Sequence, residues 1–178
     1  AGALSSLTQT SPGAFRLDRS LGRPNDTGGV ESVVVADLDG DGDLDVASAN
    51  STSNTITIFH NPPERIDPLV LSDFRGDLAA GDLNGDGLVD LVSGLSVFLQ
   101  PPNRRFRRMQ PALRVGIASN VAIADVNLDG RPDLVSNGFV FLQREAGFDP
   151  NQIPSTNFPT FAVGAAVADL DSNGLPDV

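Results

Sequence analysis

The stretch DLDGDGDLD, residues 37–45, returns three more times along the chain, as DLNGDGLVD (82–90), DVNLDGRPD (125–133) and DLDSNGLPD (169–177). The four copies start 45, 43 and 44 residues apart, so the chain is a repeat protein with a period near 44. Each copy offers side-chain oxygens at positions 1, 3, 5 and 9, a glycine at position 6 and a main-chain carbonyl at position 7. Hard oxygen donors at alternate positions around a glycine turn suit a calcium ion, which gathers six or more oxygens at about 2.3–2.6 Å. Without a cation, three or four carboxylates held within a few ångströms would repel and open the loop.

The expected ligands follow from the spacing. They are Asp37, Asp39, Asp41 and Asp45 with the Asp43 carbonyl, and Asp82, Asn84, Asp86 and Asp90 with the Leu88 carbonyl. The third and fourth sets are Asp125, Asn127, Asp129 and Asp133 with the Arg131 carbonyl, and Asp169, Asp171, Asn173 and Asp177 with the Leu175 carbonyl. About four Ca2+ ions per chain are expected, the fourth held least firmly because Asn173 lowers the charge of its loop and its closing strand must come from elsewhere. An acidic solvated turn is the plain alternative for one copy, since Asp, Asn and Gly favour turns; four copies in phase argue against it. An EF-hand fails twice. Its twelfth residue is a bidentate acid, whereas this chain has Ser48, Ser93 and Ser136 there, and the flanks alternate as strands where helices are required.

Further anchors repeat between the loops. The segments LSSLTQ, TITIFH, LSVFLQ and GFVFLQ end at Gln9, His60, Gln100 and Gln143, and an apolar residue follows at Phe15, Ile66, Phe106 and Phe148. The apolar runs are short, rich in Val, Ile and Phe, and punctuated by Pro, Gly and Asn, which predicts strands. Four strands per unit of about 44 residues is the spacing of a propeller blade. The fold class expected is all-β, with propeller-type blades of four antiparallel strands and a calcium loop between the first two strands of each. The chain reads as a single repeat domain, 1–178, with units at 30–76, 77–117 and 118–159. A further blade is split between 160–178 and 1–29.

The split has an arithmetic signature. Asp82 to Gln100 and Asp125 to Gln143 each span 18 positions, and Asp169 through Val178 and on from Ala1 to Gln9 is again 18. The expectation is that Ala1 continues Val178 in space, in the same chain or in a neighbouring copy of a repeating assembly or filament.

The loops DLDGDGDLDV, DLNGDGLVDL, DVNLDGRPDL and DLDSNGLPDV resemble the calcium loops of FG-GAP repeats, as found in integrin α-subunit propellers, related bacterial surface proteins and some fungal lectins. The resemblance implies a propeller whose loops hold calcium and stabilise the blades while ligands bind elsewhere. It also implies an extracellular or cell-surface location. The chain departs from the pattern in having four units where about seven blades are common, and in placing Leu128 where the loop usually has a small residue.

Composition narrows the function. The formal charge of −11 argues against a nucleic-acid binder. No apolar run is long enough to span a membrane. Cysteine is absent, which removes disulfides and thiolate sites. Tryptophan and tyrosine are also absent, leaving ten phenylalanines as the aromatic surface. No enzyme activity is expected: the clustered acids are absorbed by the loops, and His60, the only histidine, stands in a slot that elsewhere holds glutamine. The basic cluster Arg104, Arg105, Arg107 and Arg108 reads as a solvated edge that discourages strand pairing between molecules. Asn25 and Asn50 head glycosylation sequons. The function expected is a calcium-stabilised structural or adhesive module whose partners are further copies of itself or surface protein and glycan ligands. The alternative is a carbohydrate-binding, lectin-like propeller.

Overall fold

The computed structural model describes residues 4–21, 28–61, 66–70, 76–94, 96–102, 105–109, 120–136, 139–145, 147–149, 153–154 and 166–177. Among them there is no helix, and every sheet is antiparallel. It follows that no helix is long and apolar enough to cross a membrane.

Strands β1 (Leu4–Ser11) and β2 (Ala14–Leu21) form a hairpin of their own, turned at Gly13. Sheet I then runs in chain order through β3 (Val30–Ala36), β4 (Asp45–Asn50), β5 (Thr55–Phe59) and β6 (Ile66–Val70). Sheet II repeats the meander with β7 (Leu78–Gly81), β8 (Asp90–Ser93), β9 (Ser96–Leu99) and β10 (Arg107–Arg108). Sheet III uses β11 (Ala122–Ala124), β12 (Asp133–Ser136), β13 (Phe139–Phe141) and β16 (Ile153–Pro154). The small hairpin of β14 (Gln143–Arg144) and β15 (Gly147–Phe148) is inserted before β16.

In each four-stranded sheet an acidic loop joins the first strand to the second. The residues explain the order of the strands. The edge strand β3, VESVVVA, alternates between half-buried and exposed positions, whereas β8 and β12, paired on both sides, are buried throughout. Pro68 and Pro154 lie on β6 and β16, the outer strands, where a missing N–H breaks no inner ladder. The outer strand of sheet II is Arg107–Arg108, so part of the basic cluster does lie on a sheet edge; Arg104 is outside the described residues.

The sheets pack face to face in sequence. Ala47 and Ile58 of sheet I meet Leu78, Leu91 and Phe98 of sheet II in one apolar cluster. The opposite face of sheet II, through Val92 and Val97, meets Leu134 and Phe141 of sheet III in a second. Leu38 belongs to the first cluster and Leu83 to the second. Both are position 2 of a loop, so the first and second loops are each pinned by a leucine wedged between sheets, with Asp41 and Asp86 exposed at the surface and Asp45 and Asp90 buried.

The fourth loop is flanked by a single bridge, Ala168 to Asp177. Ala1 and Val178, on which the joined-ends expectation depends, lie outside the described residues, as does Asn25. Asn50 is described and fully buried. Its amide nitrogen donates to the Thr55 and Thr57 hydroxyls, and its oxygen accepts from Ser48, so it is no accessible sugar acceptor in the folded chain.

Candidate metal centre

All four acidic loops fold by one hydrogen-bond scheme. The position-1 carboxylate accepts the N–H of position 5 on one oxygen and that of position 6 on the other: Asp41 and Gly42 on Asp37, Asp86 and Gly87 on Asp82. The same holds for Asp129 and Gly130 on Asp125, and for Asn173 and Gly174 on Asp169. Position 5 in turn accepts the N–H of position 7, from Asp43, Leu88, Arg131 and Leu175. Burial alone would raise the Asp37 pKa, but the N–H groups of Gly42, Gly40, Asp39 and Asp41 outweigh it and hold the carboxyl below its ordinary range.

The curl needs left-handed backbone twice. Position 6 has φ between 81° and 94° and is always glycine. Position 4 also has positive φ, 73° at Gly40 and 75° at Gly85, yet it is 59° at Leu128 and 61° at Ser172. A non-glycine residue there costs on the order of 1–2 kcal/mol. Leu128 is therefore the loop's departure in backbone energy as well as in sequence.

This scheme brings side-chain oxygens together. Ligand atoms of Asp37, Asp39 and Asp41 lie within 4.8 Å of one another, as do those of Asp169, Asp171 and Asp177. In the second and third loops Asn84 and Asn127 occupy position 3, and their amides donate to Asp86 and Asp129. Converging carboxylate and amide oxygens are the donor set of a hard cation, so the residues fit calcium. The Arg131 guanidinium lies 3.7 Å from Asp129 on the surface, where such a pair contributes little.

Position 9 has a structural duty that the spacing did not reveal. Asp45, Asp90 and Asp133 are buried, and each carboxylate grips two main-chain N–H groups. One belongs to position 2 of the same loop: Leu38, Leu83 or Val126. The other lies just past the third strand: Asn61, Gln100 or Gln143. Position 9 thus ties the loop to the strand end. Desolvation raises the Asp90 pKa to about 6, against the two N–H bonds and with the help of Asp86 and Asp82. Asp133 is raised for the same reasons, its charged neighbours being Asp129 and Asp125.

The glutamines have a role as well. The Gln100 amide donates to the Leu38 carbonyl of the preceding loop, and the Gln143 amide to that of Leu83. Leu38 and Leu83 are therefore each held at the N–H by the loop's own aspartate and at the C=O by the next sheet.

The register corrects one alignment. Val46 pairs with Phe59, Leu91 with Phe98 and Leu134 with Phe141, so the three phenylalanines are equivalent. Counting on, Asn61 holds the place of Gln100 and Gln143, and His60 holds that of Leu99 and Leu142. The polar end of TITIFH favours pairing His60 with the glutamines. Aligning on phenylalanine recovers the true match.

An all-β chain of stacked four-stranded sheets, each with an acidic loop between its first two strands, defines a class of repeat protein. A family model described as FG-GAP-like repeat matches residues 37–93 and 82–136. These matches cover more than half of the chain, which therefore belongs to the FG-GAP-like repeat family. No curated protein matches significantly. Among solved structures, the V. cholerae biofilm matrix protein Bap1 is similar, with a TM-score of 0.55 and 24% identity over 82% of this chain. The chain spans 23% of the length of that protein. The likeness is one of fold.

Proposed function

We propose that the chain is an extracellular structural or adhesive module whose propeller-type blades are stabilised by calcium in the four acidic loops. The observation that carries this reading is the common hydrogen-bond scheme. Four loops spend their main-chain N–H groups on orienting carboxylate and amide oxygens towards one another, an arrangement that a bare acidic turn has no need to build. Asp45, Asp90 and Asp133 link the first three loops to their sheets, so ion binding at these loops stiffens the repeat. The FG-GAP family and the fold shared with a biofilm matrix protein support a place outside the cell.

The adhesive part is tested with beads coated with the protein on surfaces bearing matrix polysaccharide or host glycoprotein. Retention is expected in millimolar calcium and is expected to be lost in EGTA. Equal retention in both would contradict a calcium-dependent adhesive.

The pH dependence supplies a separate test of the metal. The folded Asp90 carboxyl titrates at about 6 against an unfolded value of 3.8, and Asp133 is shifted the same way. In that window the folded state holds more protons than the unfolded state, so without metal stability falls as pH rises from about 4 to 6. Bound calcium favours the ionised form and reverses the sign, because protons then compete with the ion. In EGTA the melting temperature is expected to be higher at pH 5 than at pH 7.5, and in calcium lower. The same direction in both would place no cation beside Asp90.

A further inference from the structure

The first loop differs from the others by one residue that is not part of it. His60 follows β5 at the place where sheets II and III carry Leu99 and Leu142, and its imidazole turns inward against the loop. Its Nδ1 lies 3.3 Å from Oδ2 of Asp45 and 3.5 Å from Oδ2 of Asp39. All three side chains are at least 95% buried. The three ligand atoms lie within 4.8 Å of one another.

These separations are informative. The contact with Asp45 is a long hydrogen bond and that with Asp39 is longer still, both beyond the roughly 2.7–2.9 Å of a tight charge-assisted bond. Ligands bound at about 2.0–2.1 Å to a tetrahedral ion stand about 3.3–3.4 Å apart, close to the 3.3 and 3.5 Å from Nδ1 to the two carboxylates. A nitrogen donor also changes the chemistry. Calcium takes oxygen, whereas imidazole with carboxylate suits zinc and other first-row cations. Asp39 also belongs to the triplet with Asp37 and Asp41, so the loop side has further carboxylates to complete the coordination, alongside water.

We propose that His60, Asp39 and Asp45 form a binding site for a first-row divalent cation, zinc in the first instance, confined to the first repeat. It draws two of its ligands from the first acidic loop, so zinc competes with calcium there and at no other loop. The second, third and fourth loops bring no histidine, the chain having only one.

The test uses untagged protein. One equivalent of Zn2+ is expected to shift the ring resonances of the single histidine, and Co2+ in its place is expected to give the intense visible bands of a tetrahedral nitrogen–oxygen site. His60→Leu installs the residue that the equivalent places in sheets II and III already hold, and it is expected to weaken zinc binding by roughly 100-fold or more. Loss of a mere outer partner of a ligand already costs about 10–100-fold. His60→Gln keeps a polar group against the two acids without an imidazole and is expected to lose zinc equally, so a folding defect in one variant does not decide the matter. Absence of zinc uptake, a pale octahedral cobalt spectrum, or affinity unchanged in both variants would overturn the proposal and leave His60 as a buried hydrogen-bond donor. The readouts are zinc and cobalt, so the outcome is independent of calcium at the other loops.

Discussion

Asp45→Ala will lower the melting temperature by roughly 4–24 °C in chelator and by somewhat more in calcium, where the ion of the first loop is lost as well. The carboxylate is 1% exposed, accepts the N–H groups of Leu38 and Asn61, and contacts the His60 ring. Alanine leaves the two buried N–H groups without this partner, at about 1–3 kcal/mol each. A total of about 2–6 kcal/mol, at roughly 2–4 °C per kcal/mol in a chain of this size, gives about 4–24 °C. Asp41→Ala is the control. Asp41 is exposed and its own bond is local, to the N–H of Asp43. Its loss should matter in calcium and scarcely at all in EGTA. Scanning calorimetry of both variants in both buffers separates the strand tie from the ion ligand. If Asp45→Ala melted like the parent in EGTA, position 9 would be a ligand with no structural duty.

Removing calcium from the unmodified chain carries the other large effect. Extracellular modules bind the ion with dissociation constants near 10⁻⁴ M at the tight end, and at about 1–2 mM free calcium each filled loop adds on the order of 1.5 kcal/mol by linkage. Four loops give about 6 kcal/mol, comparable with the whole net stability of a domain. The expected fall in melting temperature on adding EGTA is roughly 12–24 °C, by the same conversion. The carboxylate triplet Asp37, Asp39 and Asp41 makes the first loop the most strained by the loss, because no asparagine there relieves the crowding. An unchanged melting curve would reduce the loops to acidic turns.

Much of this architecture is legible in the sequence because it rests on repetition. Aspartate or asparagine at positions 1, 3, 5 and 9 and glycine at 6 mark the loops, and short apolar runs on either side mark the paired strands. The family follows from the same residues. What was hidden depends on pairing across the chain. That Asp90 faces Leu83 and Gln100 requires knowing which strand end lies beside the loop. That Gln143 reaches Leu83 requires the order of the sheets. The displacement of His60 by one place was available in principle, since Phe59, Phe98 and Phe141 align the third strands. A polar residue at the end of a short strand is a weaker marker than a buried aromatic one. The positive φ at position 4 was masked in turn by Leu128 and Ser172, which adopt a conformation their side chains do not favour.

Whether the acidic loops are calcium sites is decided by isothermal titration of the metal-free chain with calcium. Saturable uptake approaching four ions per chain is expected. Asp82→Ala is expected to lose one ion, because that carboxylate accepts the N–H groups of Gly85, Asp86 and Gly87 and shapes the second loop. No uptake, or an ion count that Asp82→Ala leaves unchanged, would contradict calcium binding at these loops.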